Sequence, residues 1–251
     1  MDDERTADAR ALARFLEANA PVVTVTGAGV STASGLPDFR SPGGLWERLD
    51  PMVDGHVDML ARDPARVWQC WAEPLVGAHI AHNPAHDALA RLERGGFVSG
   101  VITQNIDGLH HAAGSDAVEV HGHLRSARCL GCGAEEDMAP ALARYAATRL
   151  APECQDCGGT LRPQVVLFGE PLPGDAWGRA IELVQTAGGC LCAGTSLQVY
   201  PAAGLAEAFA RAGRPLAIIS HQPTALWEDA DPCLLGAAEE LLPAAAAILR
   251  T

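Results

Sequence analysis

At 251 residues, 48% of them hydrophobic, the chain is long enough for one large domain or for a domain carrying a smaller insertion. Its net charge of −13 argues against a broad nucleic-acid surface, which needs clustered cations to displace counterions, and would suit a cationic protein segment as partner. All 18 basic residues are arginine, so Schiff-base catalysis and a phosphate-loop lysine are excluded, and a chain acting on lysine could not be its own substrate.

The amino terminus, Met1-Asp2-Asp3-Glu4-Arg5, is acidic where a secretory signal would be basic and then apolar. No run of about 18 apolar residues predicts a membrane span. A soluble cytoplasmic protein is the expectation. Ala7 to Ala18 places Leu12, Phe15 and Leu16 on one helical face. Val22-Val23-Thr24-Val25-Thr26 is β-branched throughout and reads as a buried strand. Gly27-Ala28-Gly29 ends it, with Ser31 to Ser34 as the expected start of a helix, which together resemble the opening of a dinucleotide-binding unit. Its backbone N–H groups could meet a phosphate, although Thr32 stands where a third glycine is usual and no acidic residue closes a second strand.

Residues 36–80, rich in Pro, Gly, Trp and Arg, break the pattern, with a helix expected at Pro64–Trp71. Helix Ala85–Arg94 then precedes strand Phe97–Thr103. Residues 122–162 form a second excursion containing Cys129/Cys132, Cys154/Cys157 and a helix near Ala139–Arg149. Two Cys-x-x-Cys pairs with glycines at their turns predict one closed tetrahedral zinc site, structural because four sulfurs leave no open position. Further strands are expected at Gly189–Gly194 and Leu216–Ser220, with helices near Ala203–Ala212 and Glu239–Leu249. Cys70, Cys190, Cys192 and Cys233 read as core.

Strands alternating with helices predict an α/β fold, a Rossmann-like and mostly parallel sheet with helices on both faces. The expected division is a large domain of residues 1–35, 81–121 and 163–251, and a small domain of residues 36–80 and 122–162. Gly27, Gln104, Gly194 and Ser220 end predicted strands, where ligands of such sheets bind.

Gly27-Ala28-Gly29-Val30-Ser31 with Ser34-Gly35-Leu36-Pro37-Asp38-Phe39-Arg40, then Thr103-Gln104-Asn105-Ile106-Asp107, then His121-Gly122, resembles the sirtuins, the NAD-dependent protein deacylases. The likeness continues through the four cysteines, Val165-Val166-Leu167-Phe168-Gly169-Glu170 and Gly194-Thr195-Ser196-Leu197-Gln198-Val199, in the family's order. It implies that NAD and an acyl-lysine protein give nicotinamide, free lysine and an acyl ester of ADP-ribose. It assigns His121 as general base, with Asn105 and Asp107 as catalytic partners. Asn105, Ile106 and Asp107 would line the nicotinamide pocket, Asp107 holding the carboxamide, and Gln104 would bind ribose hydroxyls. Phe39 would shield the intermediate and Arg40 would sit near the phosphates, with Ala28 and Thr195 beside the pyrophosphate. Gly27, Gly29, Asp38, Trp46, Gly194, Ser196, Ser220 and Ala238 complete the expected cofactor set, and Val166, Phe168, Gly169, Glu170 and Val199 the peptide-binding set.

Two departures narrow the resemblance. Ser220 stands where the family commonly has Asn, in Ser220-His221-Gln222-Pro223-Thr224. Trp71 and Pro74 stand where relatives acting on acidic acyl groups carry Tyr and Arg, which favours acetyl or another uncharged group. The alternatives are transfer of ADP-ribose to a protein and a non-catalytic NAD or acyl-lysine binding module.

Overall fold

A computed structural model describes residues 2–36 and 50–251. Helix α1 (Asp2–Ala18) starts earlier than the apolar spacing requires, because acidic residues at a helix amino terminus are favoured by its dipole. Strand β1 (Val22–Thr26) is buried at every position, as a strand covered on both faces must be. The expected helix after it is instead two short 3-10 turns, Ala28–Val30 and Thr32–Ser34. Tertiary bonds described below take up the polar groups that a helix there would use.

The first excursion contains α2 (Pro51–Asp54), α3 (Val57–Arg62) and α4 (Pro64–Trp71). Asp63 caps α4 by accepting from the Arg66 N–H, and Pro64 suits a first turn whose N–H is unused. Helix α5 (Pro84–Arg94) is closed by a capping box between Asn83 and His86. Strand β2 (Val98–Thr103), helix α6 (Leu109–Ala112) and strand β3 (Val118–Glu119) follow. The second excursion holds β4 (Gly122–Cys129), β5 (Glu135–Asp137), α7 (Met138–Thr148) and β6 (Leu161–Val165). The chain ends through α8 (Gly174–Thr186), β7 (Gly189–Ala193), α9 (Ala203–Arg211), β8 (Leu216–Ser220), β9 (Cys233–Leu235) and α10 (Ala238–Ile248).

Six strands pair in the order β3-β2-β1-β7-β8-β9, every pair parallel. β1 therefore lies between β2 and β7, and the order reverses direction at β1/β7, the place where such sheets open a crevice. Side chains alternate between two cores. Val22 and Leu191 join α1, α5 and α10 on one face. Val23, Val25, Cys190 and Cys192 join α8 and α9 on the other. Cys233 departs from the expected core placement: it is half-buried on edge strand β9, its thiol donating to the Trp227 and Ala230 carbonyls.

The two excursions share a third core. Trp68 of α4 stacks on Tyr145 of α7 with centroids 5.7 Å apart, and its indole donates to the Leu161 carbonyl at 2.8 Å. β5-β4-β6 is an antiparallel sheet with Cys129 in its end register opposite Leu161. β6 then leaves this sheet and delivers residues 166–170 to the crevice.

Candidate active site

The carboxyl ends of β1, β2, β7 and β8 surround a cavity of about 430 Å³. Its floor is the meeting of two turns. A Cβ at Gly27 would lie 2.8 Å from the Thr195 Cβ, and one at Gly29 would lie 2.9 Å from the Gly194 Cα. Gly194 has φ +59, and a Cβ there would approach the Val30 nitrogen to 2.4 Å. Glycine is thus required for the turns to touch, not only for a ligand to approach. The Gly27 and Gly29 N–H groups are donated to the Ala193 and Gly194 carbonyls. Of the three residues, Ala28 alone keeps an N–H without a backbone acceptor among the described residues, and the residue lines the cavity.

Behind this floor lies a buried polar network. The Asn105 side chain donates to the Gly27 carbonyl and to the Ser31 hydroxyl, both at 3.1 Å. Ser31 in turn donates to Asp107 Oδ2 at 2.7 Å, and the Leu109 N–H donates to Asp107 Oδ1 at 2.9 Å. Burial nevertheless pushes the Asp107 carboxyl above its usual range, the hydrogen bonds opposing the shift. His86 Nε2 lies 3.4 Å from the Ser31 hydroxyl, and His110 bonds Thr26. The two imidazoles meet edge to face at 4.7 Å. His110 is 2% exposed. Ser31, Asn105, Ile106 and Asp107 also line a second cavity of about 60 Å³, with Cys70, Trp71, Pro74 and Leu124.

His121 sits between β3 and β4, fixed by the Val120 N–H bonding to the Thr103 carbonyl and the Val166 N–H bonding to the His121 carbonyl. Its Nδ1 lies 3.1 Å from the Gln104 backbone carbonyl. A carbonyl only accepts, so Nδ1 carries the proton and Nε2 keeps a lone pair. Burial lowers the pKa below 6.5, with the bond to Gln104 pulling the other way, so the ring is neutral near pH 7. The ring lines the larger cavity. Gln104 itself is tied across the crevice, its amide donating to Thr195 Oγ1 at 2.9 Å.

One wall is formed by Val166–Glu170 and the opposite one by Ser196, Gln198, Val199, Tyr200 and Pro201. The Phe168 N–H and C=O are bonded to Gly55 and Val57. Gly169 has φ +88, and a Cβ there would come within 2.6 Å of His56 Nε2. Ser220 reaches the cavity rim, where its hydroxyl accepts from the Gln222 N–H at 3.4 Å.

Away from the cavity, the four cysteine sulfurs lie within 4.8 Å of one another. Cys129 and Cys157 are 3.5 Å apart and Cys132 and Cys154 3.8 Å. Tetrahedral zinc with bonds of about 2.3 Å sets its sulfurs about 3.8 Å apart, so the donor set fits the ion. The Cys132 and Gly131 N–H groups donate to the Cys129 sulfur and so favour its thiolate form.

The structure brings Gly27, Ala28, Gly29, Gln104, Asn105, Ile106, His121, Val166, Phe168, Gly169, Glu170, Gly194, Thr195, Ser196, Val199 and Ser220 to one cavity. Asp107 joins them through Ser31 and the smaller cavity. Ala238 is placed elsewhere, 3% exposed in the first turn of α10 and packed in the core with α1 and α5. Asp38, Phe39, Arg40 and Trp46 lie outside the described residues. Sequence reasoning gave no site role to Ser31, His86 or Thr224. Ser31 and His86 had a readable signal: a hydroxyl just past the glycine turn, and the Asn83-Pro84-x-His86 capping pattern. The buried Thr224 hydroxyl, which lines the cavity without a hydrogen-bond partner among the described residues, had none.

The sequence model of the Sir2 family matches residues 27–201. NAD-dependent protein deacylase 2 of Pyrobaculum aerophilum is 43% identical over 235 residues, covering 92% of this chain and 92% of that protein. NAD-dependent protein deacetylase 2 of Streptomyces coelicolor is 41% identical over 230 residues, covering 89% of this chain and 95% of that one. A solved Sir2 homologue in complex with NAD superposes with a TM-score of 0.83 at 38% identity, covering 95% of this chain and 93% of its own. A Sir2 enzyme solved with deacetylated p53 peptide and 3'-O-acetyl ADP-ribose gives 0.87 at 33% identity, covering 94% and 96%.

Proposed function

Because the chain belongs to the Sir2 family, the NAD-dependent protein deacylases, we propose that it removes acetyl or another uncharged acyl group from protein lysines, with His121 as base. The observation that carries this reading is the His121 ring, held at Nδ1 by the Gln104 carbonyl on the wall of the β1/β7 crevice. When bound, NAD supplies a ribose carbon made electrophilic by loss of nicotinamide. The turns of Gly27–Gly29 and Gly194–Ser196 would hold its phosphates, the Ala28 N–H being the donor left over. Gln104 would meet the ribose. Asn105, Ile106 and Asp107, braced by Ser31, would hold the carboxamide end. His121, with its Nδ1 held by the Gln104 carbonyl, would accept at Nε2 the proton of a ribose hydroxyl, making that hydroxyl the nucleophile toward the acyl group.

Zinc would be bound by Cys129, Cys132, Cys154 and Cys157 and, with four thiolates, offers no position for substrate. Trp71 and Pro74 support the uncharged acyl preference: no arginine lines either cavity among the described residues to meet a succinyl carboxylate. The net charge of −13 supports a protein partner over nucleic acid. No described helix is long and apolar enough to cross a membrane, and none of the eight cysteines is in a disulfide. These features support a cytoplasmic location, and the core shared by the two excursions supports a small unit comprising residues 36–80 and 122–162.

The test is mass spectrometry of products from NAD with acetyl-, butyryl- and succinyl-lysine peptides. The expected product is O-acyl-ADP-ribose from the uncharged peptides, and His121→Ala should lower turnover by about 10²–10⁴-fold while still binding NAD. Since only the neutral ring serves as base and burial lowers its pKa, activity should persist below pH 6.5 and fall at more acidic pH. ADP-ribose found on a protein acceptor instead, or unchanged turnover in the variant, would overturn the reading.

A further inference from the structure

The carboxylate of Glu170 sits in the peptide wall, yet its oxygens are engaged from within the protein. Arg162 donates to Glu170 Oε1 at 2.5 Å and to Oε2 at 2.9 Å. The Leu167 N–H donates to Oε2 at 2.9 Å. The Glu170 N–H returns a bond to the Leu167 carbonyl at 3.0 Å, closing the turn 167–170. The same guanidinium also donates to the Val165 carbonyl at 2.7 Å and to the Pro163 carbonyl at 3.2 Å. One side chain therefore fastens both the point where β6 leaves its sheet and the far end of the loop that follows.

Arg162 is anchored in turn. It stands in β6 opposite Arg128 of β4, one register step from the Cys129–Leu161 pair. The ion pair is mostly shielded, its side chains 17% and 21% exposed. Burial pushes the Glu170 carboxyl up, but the Arg162 and Leu167 hydrogen bonds outweigh it and the net shift is downward, so the pair is charged at neutral pH.

We propose that Arg162 and Glu170 form a clamp that carries the rigidity of the cysteine-bearing sheet into the Val166–Gly169 edge, and that Glu170 serves peptide binding through this clamp instead of by touching the peptide. Glu170 is then a positioning residue, and so is Arg162, which no sequence feature had singled out. A loop held in its binding shape spares the bound peptide the cost of ordering it. The clamp does not reach the NAD-facing turns, so its loss acts on the acyl-peptide and leaves the other substrate alone.

This inference rests on the deacylase reading, and the experiment separates the two. Steady-state kinetics are measured on zinc-loaded protein with an acetyl-lysine peptide for the parent, Arg162→Met, Glu170→Gln and the double variant. Hydrogen bonds between charged groups are strong enough that each single change should raise the peptide KM about tenfold or more. The NAD KM and kcat at saturating peptide should stay within about twofold, and the double variant should be no worse than the worse single one. Glu170→Asp, which keeps the charge, should recover part of the loss. A peptide KM unchanged in Arg162→Met while Glu170→Gln raises it would show direct contact by Glu170 and overturn the clamp. Equal rises in both KM values would overturn it too, as would additive effects in the double variant. Zinc content and Tm identify a variant that has lost its fold, in which case Glu170→Gln, the closest in shape, decides. A parent protein without NAD-dependent turnover would sink the deacylase reading itself, a result distinct from all of these.

Discussion

Acidification should destabilise this protein through two imidazoles that never touch solvent. His86 and His110 are 0% and 2% exposed. Burial is the main cause that pushes their pKa values from 6.5 down to about 4 and about 3, with neighbouring histidines adding to it. Below 6.5 the unfolded chain binds protons that the folded chain refuses, so stability falls as pH falls. The contribution is complete above the unfolded value and is lost progressively toward the folded values. Each unit is worth about 1.4 kcal/mol, so at about pH 5 each ring has withdrawn about 2 kcal/mol relative to about pH 7.5. That is a large share of the roughly 5–15 kcal/mol of a typical domain. The assay is urea unfolding of the parent and His110→Gln at the two pH values. Carboxylates and zinc thiolates titrate alike in both proteins, so the difference isolates His110. The variant, although less stable at neutral pH, should lose about 2 kcal/mol less on acidification. Identical losses would show that His110 is not held neutral and would refute the argument.

Gly194→Ala forces a Cβ to within 2.4 Å of the Val30 nitrogen at φ +59, which should cost at least about 2 kcal/mol and part the two crevice turns. Calorimetric titration with NAD should show the binding lost, and parental affinity would contradict the role given to the turn. Cys132→Ser removes one of four sulfurs that already hold tetrahedral spacing. It should release the zinc and lower Tm by about 10 °C, and metal analysis showing one retained ion per chain would count against the site.

Much of the site was legible because it is local. The Asn105-Ile106-Asp107 run lies in one loop after β2, and each cysteine pair grips from one turn, so neighbouring residues suffice to recognise them. Helices α4 and α5 were readable from their own punctuation, Asp63-Pro64 and Asn83-Pro84. Strand β9 was not, because three residues on a sheet edge have too little apolar alternation to stand out. Helix α8 (Gly174–Thr186) escaped as well, with only Ala180 and Val184 fully buried on its inner face.

By itself the sequence determined the alternation that makes a parallel sheet, the paired cysteines that cluster at the small sheet and the chemistry of the residues at the strand ends. What it left to the tertiary structure was every relation between distant segments. Ser31 and His86, 55 positions apart, share a hydrogen-bond network only because the 3-10 turns after β1 fold back on α5. Likewise Glu170 meets Arg162, eight positions away, because the chain reverses after β6. A carboxylate's role follows from which donors reach it, and only the folded chain sets those distances.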